Sequence, residues 1–122
     1  MAAVNIVNVT AIYGKTVAAN LTTTSATSIL NNAANSSTVV KINSLNISNI
    51  TGNSATANVF FNNGANITGT SFSILTTTVP SNSALTAIDK NAPYYLEEAQ
   101  SIGVTAGTAN TFIVTCSYEV IS

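Results

Sequence analysis

The sequence predicts an all-β protein: a single antiparallel β-sandwich, jelly-roll-like or immunoglobulin-like, with eight to ten short strands. Short runs rich in β-branched or alternating apolar residues recur along the 122 residues, with turn signals between them. Thr occurs 19 times, Asn 17 times and Ser 14 times, and these residues favour strands or turns. The best helical candidate, "LEEAQSIG", is too short to form a stable helix.

The first quarter of the chain contains three candidate strands. "AVNIVNVTAIY" (residues 3–13) is dense in β-branched residues, and "KTVAANLTTT" follows a predicted turn at Gly14. "ATSILNN" is a short strand or a loop.

The strongest strand signal is "STVVKINSLNISNI" (residues 37–50). Val40 and Ile42 share one face, and Leu45 and Ile47 share a face with the opposite parity. Such a change of parity within a strand predicts a β-bulge between the two pairs.

The remaining strands alternate with recognisable turns. "ATANVFFNN" is expected to return antiparallel after "TGNS", and "TSFSILTTTV", "ALTAID" and "TFIVTCSYEV" follow in turn. "YYLEEAQSIGVTA" is predicted to form a strand, a turn and a strand. The predicted core consists of Val40, Ile42, Leu45, Ile47, Phe61, Leu96, Ile102, Phe112 and Val114.

Charge is scarce and concentrated in one segment. The formal net charge is −1, and Asp89, Lys90, Glu97 and Glu98 account for four of the seven charged residues. We interpret these four as the solvated flanks of a turn. Without a basic patch, neither nucleic acid nor an anionic membrane is expected as a partner.

The residues needed for catalysis are few. The chain has no His, and its single Cys116 lies among apolar neighbours, so we expect a buried thiol, no cofactor and no enzymatic activity. A calcium site built on Asp89, Glu97 and Glu98 is the alternative for the charged segment. Tyr13, Tyr94 and Tyr95 could stack on sugars, but alternation predicts that one of the adjacent tyrosines packs inward.

The N-terminal residues raise a separate question. No secretory signal is evident, so synthesis in a cytoplasm is expected for this single domain of residues 1–122. Residues 1–12 are uncharged and carry large apolar groups on both parities: Val4 and Ile6 on one, Val7 and Val9 on the other. They form either a central strand or an arm that pairs with a neighbouring copy or another protein.

Three stretches resemble a group of small virion structural proteins of tailed phages, notably those of marine cyanobacteria. They are "VVKINSLNISNITGNSATANVFF", "VPSNSALTAIDKNAPYYLEEAQSIGVTA" and "VTCSYEVIS", which lie within residues 38–122. The sharpest parts are "YLEEAQSI" and "SYEVIS". The group usually has a Gly-Asp pair where this chain has Ala99-Gln100, so the chain departs from the group at that turn.

The resemblance implies a structural particle protein without catalytic residues. A capsid decoration or cement protein, bound to the major capsid protein or other virion proteins and self-associating, is the first expectation. A tail, neck or fibre module that touches host glycans is the alternative. Either function places the protein in the virion.

Overall fold

Nine β-strands in two antiparallel sheets form the architecture of residues 4–122, which are the residues described by the computed structural model. The strands are β1 (Ile12–Asn20), β2 (Thr27–Asn32), β3 (Val39–Asn49), β4 (Ala55–Asn62), β5 (Ser71–Val79), β6 (Ala84–Ile88), β7 (Tyr94–Leu96), β8 (Gln100–Ala106) and β9 (Phe112–Ile121). A single 3-10 turn at Ala65–Ile67 is the helical element of this part of the chain. The predicted all-β sandwich is confirmed.

Strand order decides between the two predicted arrangements. One sheet has the order β1-β9-β3-β6, with β7 also pairing β3, and the other has the order β2-β8-β4-β5. Most connections therefore cross from one sheet to the other, whereas an immunoglobulin-like sandwich joins several consecutive strands within a sheet. The arrangement is that of a jelly roll.

The β-bulge predicted in the strongest strand is confirmed. The register between β3 and β9 shifts between Ile42 and Ser44. The shift returns Leu45 and Ile47 to the face already used by Val40 and Ile42, and all four side chains are buried in the core between the sheets. An extra residue in one strand is the usual cause of such a return.

Eight of the nine predicted core residues are buried, and Phe61 is the exception. Phe61 is only half-buried at the edge of the core, opposite Phe72, which is 53% exposed on the edge strand β5. Its neighbour Phe60, on the other face of β4, is the buried ring. A Cβ atom at Gly103 would lie 2.5 Å from Cζ of Phe60, so the glycine makes room for this ring.

The start of the chain differs from the prediction. Gly14 lies inside β1 instead of forming a turn, so the strand runs from Ile12 across the predicted boundary. β1 is an edge strand, and its first five residues are exposed. Residues 4–11 are not a strand, which rules out the central-strand alternative for the part of residues 1–12 that lies within the described chain.

Replacement of Phe112 by Ala tests the core. Phe112 is completely buried, so we expect the free energy of unfolding to fall by about 3–5 kcal/mol. Phe72→Ala is the matched control, because its exposed ring should change stability by less than about 1 kcal/mol. Chemical denaturation measures both, and equal losses in the two variants would contradict this account of the core.

Candidate functional site

The N-terminal segment, residues 4–9, folds back on itself as a turn. The Asn8 N–H donates to the Asn5 carbonyl (3.1 Å), and the Val7 N–H donates to Oδ1 of Asn5 (3.0 Å). Asparagine side chains commonly close such turns, and here the turn formed by Asn5 prevails over the strand preference of the β-branched residues around it. The strand predicted over residues 3–13 is therefore wrong for residues 4–11, and residue 3 lies outside the described residues.

The four N-terminal residues predicted to form an interface are placed in different surroundings. Val4 and Val9 are half-buried, whereas Ile6 is 52% exposed and Val7 is 92% exposed. Ile12 and Tyr13, at the start of β1, are 54% and 61% exposed. Residues 6–13 thus carry four large exposed apolar side chains in a short stretch of chain.

An open groove lies beside this segment. Its volume is about 630 Å³, a size typical of small-molecule sites. The N-terminal segment, the β2–β3 connection, the start of β3, and β7 with the turn that follows it all contribute. The lining residues are Val4, Ile6, Ala34, Asn35, Thr38, Val39, Tyr95, Glu97, Glu98, Ala99 and Gln100.

Asn32, the last residue of β2, fixes two walls of the groove. Its side chain is buried, and its Nδ2 donates to the carbonyls of Thr38 (2.9 Å) and Leu96 (3.0 Å). Its Oδ1 accepts from the hydroxyls of Ser36 (2.7 Å) and Thr38 (3.1 Å). One side chain therefore ties the β2–β3 connection to the end of β7.

The turn between β7 and β8 completes the rim. The Glu97 N–H donates to Oε1 of Gln100 (2.8 Å), and the Ser37 N–H donates to Oε2 of Glu98 (2.9 Å). Ala99 has a φ of 61°, a left-handed conformation that glycine adopts most easily. The structure thus keeps a glycine-like turn at Ala99, and the predicted strand, turn and strand are confirmed.

Both tyrosines of "PYYLEE" are exposed, so the prediction that one packs inward is wrong. Tyr94 is 37% exposed and Tyr95 is 42% exposed. β7 has only three residues and pairs only with β3 among the described strands, so alternation does not bring Tyr94 under the opposite sheet. Tyr95 lines the groove, whereas Tyr94 does not.

The carboxylates do not assemble a metal centre within residues 4–122, because no three His, Cys, Asp or Glu side chains lie close enough to hold an ion. Asp89 belongs to a separate turn, where its Oδ1 accepts from the Asn91 N–H (2.9 Å). The calcium alternative for Asp89, Glu97 and Glu98 therefore has no support in the geometry.

Cys116 is completely buried, as the sequence predicts. Burial raises the pKa of its thiol from 9.0 to about 11. The thiolate is the reactive form, so this cysteine is protonated and inert near neutral pH.

The sequence pattern draws attention to Tyr95, Glu97 and Glu98, but it favours a solvated turn for the two glutamates. It gives no indication of the other wall of the groove. Ala34, Asn35 and Thr38 lie in the turn-forming stretch "NNAANSST", which gave a clear loop signal. Nothing in that signal indicates which distant turn the loop approaches. The contact depends on the sheet-to-sheet crossing that places the ends of β2 and β7 side by side.

The comparisons with known proteins add little. No family model and no curated protein matches the chain. Among solved structures, a chain of the Bacillus endospore appendages, which form a family of disulfide-linked pili, is similar with 17% identity and a TM-score of 0.49. The match covers 90% of this chain and 86% of that chain, and it carries no argument about function. No helix within residues 4–122 has the length and apolarity to cross a membrane.

The role of Asn32 is open to a direct test. Asn32→Ala removes the donor to the buried Leu96 carbonyl and to the part-buried Thr38 carbonyl. We therefore expect a loss of about 1–3 kcal/mol in unfolding free energy. Asn91→Ala, in an exposed loop, is the matched control and should change little.

A second variant separates hydrogen bonding from packing at the same site. Asn32→Asp keeps the shape but points an oxygen at both carbonyls, and burial raises the pKa of a carboxyl there. A carboxyl whose pKa is raised in the folded state contributes its full stability below the unfolded pKa, and this contribution is lost as pH rises. The stability of this variant should therefore be closest to that of the native protein near pH 4 or below. A loss of stability that does not depend on pH would contradict the bonding scheme.

The raised pKa of the buried Cys116 thiol predicts how the stability of the protein changes at alkaline pH. The unfolded thiol ionises from about pH 9 and the buried thiol only near pH 11, so the stability that depends on the thiol is complete below pH 9 and falls across that window. Two pKa units correspond to about 2–3 kcal/mol at most. Denaturation of the native protein and Cys116→Ala at each pH isolates this effect, because the two proteins differ only in this side chain. Parallel pH profiles would contradict the prediction.

Proposed function

We propose that this protein is a non-enzymatic structural subunit of a phage particle, a decoration or cement protein that binds the assembled capsid shell. The observation that carries the proposal is the cluster of exposed apolar side chains in residues 6–13, on and beside the N-terminal segment. Large exposed apolar side chains in a short stretch are typical of a surface that another protein covers.

Two further features support this role. The resemblance over residues 38–122 is to structural proteins of tailed phages, and jelly rolls are common in capsid proteins. The chain also has only seven charged residues among 122, and a freely dispersed protein usually relies on charge to remain apart from its neighbours. A subunit surrounded by neighbours on a particle does not need that charge.

The attachment surface proposed here consists of the N-terminal segment and the beginning of β1. Val7 is its most exposed large apolar side chain, and the outer edge of β1 has no partner strand among the described residues. An edge strand with free N–H and C=O groups accepts a further strand readily. Either the shell protein or a neighbouring copy would supply that strand. Both partners would be met on the assembled particle.

A tail, neck or fibre module is the second candidate. The exposure of both Tyr94 and Tyr95 favours it, because surface aromatic rings next to polar groups suit a receptor-contacting protein. A map of the intact particle discriminates between the two. Many copies over the head support decoration, and a few copies at one vertex support the tail module.

Val7→Asp tests the attachment surface. A charge at this position should weaken binding to purified shells at least tenfold, because the aspartate must lose its water in an apolar contact. Ile50→Asp is the matched control, since Ile50 is 51% exposed and lies away from the N-terminal segment in the sequence. Cosedimentation with shells that lack the protein measures binding, and thermal melting verifies that both variants fold. Equal binding by Val7→Asp and the native protein would overturn the proposed surface.

A further inference from the structure

We propose that the groove beside β7 is a binding site for a neutral sugar, in which Tyr95 supplies the stacking surface. This proposal goes beyond attachment to a shell and does not rest on it. The chain places one exposed aromatic ring, two carboxylates and two amides around a single groove of about 630 Å³.

Tyr95 has the exposure that stacking requires. Its ring is 42% exposed, and its position on β7 is set by antiparallel pairing with Lys41 of β3. A ring held by a strand is oriented before the ligand arrives, which lowers the entropic cost of binding. The apolar C–H face of a pyranose ring is the complement of such an aromatic surface.

The polar groups around Tyr95 suit hydroxyl groups. Asn35, Glu97 and Gln100 line the groove, and their side chains together offer both donors and acceptors. A sugar hydroxyl both donates and accepts, so it can be matched by carboxylate and amide groups in combination. Oε1 of Gln100 already accepts the Glu97 N–H, which holds the amide in place.

Hydrogen bonds between its two walls hold the rim of the groove in place. Buried Asn32 joins the β2–β3 connection to Leu96, and Glu98 binds the Ser37 N–H from the opposite wall. Hydrogen bonds thus join the two walls. A preorganised site of this kind needs little rearrangement to bind.

Charge selects among sugars. Glu97 and Glu98 both line the groove, and no Lys or Arg is among its lining residues. Two carboxylates repel uronic or sialic acids and tolerate neutral sugars and N-acetyl amino sugars. Aliphatic Val4, Ile6 and Val39 also line the groove and fit the methyl group of an N-acetyl substituent, so N-acetylated sugars are expected to bind best.

Saturation-transfer NMR with three trisaccharides tests the proposal on the purified full chain. The probes are chitotriose, which carries N-acetyl groups, maltotriose, which is neutral without them, and trigalacturonic acid, which is anionic. We expect signals from chitotriose, weaker signals from maltotriose and none from the acidic sugar. Lack of binding by both neutral sugars at 10 mM, chosen as roughly ten times a weak millimolar Kd, overturns the proposal.

Variants locate the site. Tyr95→Ala should weaken binding of chitotriose at least tenfold, and Tyr95→Phe, which keeps the ring, should retain it. Tyr94→Ala is the matched control, because Tyr94 is exposed on the same strand but does not line the groove. Unchanged binding by Tyr95→Ala overturns the assignment.

Glu97→Gln and chemical-shift mapping distinguish a loss of sugar binding from a loss of folding. Glu97 is exposed, so its replacement should leave the melting temperature unchanged while altering sugar binding. Shifts in the native protein should centre on Tyr95 and Gln100, and shifts elsewhere would overturn the proposal. Shell binding is measured separately with Val7→Asp, so failure of the sugar site and failure of the attachment surface are distinguishable.

Discussion

Buried asparagines at the ends of strands are the constraint on which the rest of this jelly roll depends. Each time the chain leaves a strand it must satisfy backbone groups that the sheet no longer pairs. Asn32, Asn49 and Asn62 are the last residues of β2, β3 and β4, and all three side chains are buried. Nδ2 of Asn49 donates to the carbonyls of Asn53 (2.8 Å) and Val79 (3.1 Å), and Oδ1 of Asn62 accepts the N–H groups of Gly64 (2.8 Å) and Gly69 (2.9 Å). An amide carries both donors and an acceptor without charge, so it can bind a turn and an incoming strand together.

This device connects the unusual composition to the groove. Because an amide is uncharged, a chain that uses asparagines at its strand ends can bury these side chains without the desolvation cost of an ion. Within residues 4–122, every buried side-chain nitrogen and oxygen has a hydrogen-bond partner. Asn32 does more than pair backbone groups at the end of β2, because its bonds to Thr38 and Leu96 set the distance between the walls of the groove. The candidate site is thus a consequence of how one strand ends.

The N-terminal segment shows the opposite relation between sequence and structure. Its β-branched residues favour a strand, yet Asn5 closes a turn and leaves Val7 almost fully exposed. Disagreement between local preference and the observed conformation often marks a functional segment. Val4 and Ile6 line the groove and Val7 does not, so the two proposed interactions share part of the same short segment, and Val7 belongs to the attachment surface alone. A shell contact through Val7 leaves Tyr95 and the polar wall of the groove in place.

The sequence by itself determined the all-β class, the bulge in β3, the turn after β7 and all of the predicted core except Phe61. These features depend on residue alternation and turn chemistry, which are local. The tertiary structure decided the jelly-roll order, the exposure of Tyr94 and the placement of Asn35 and Tyr95 around one groove, because each depends on residues distant in sequence. It also decided that Phe60 is the buried ring, since Gly103 on a neighbouring strand provides the space. Local patterns define which face of a strand is apolar, but only the packing of the sheets defines what that face meets.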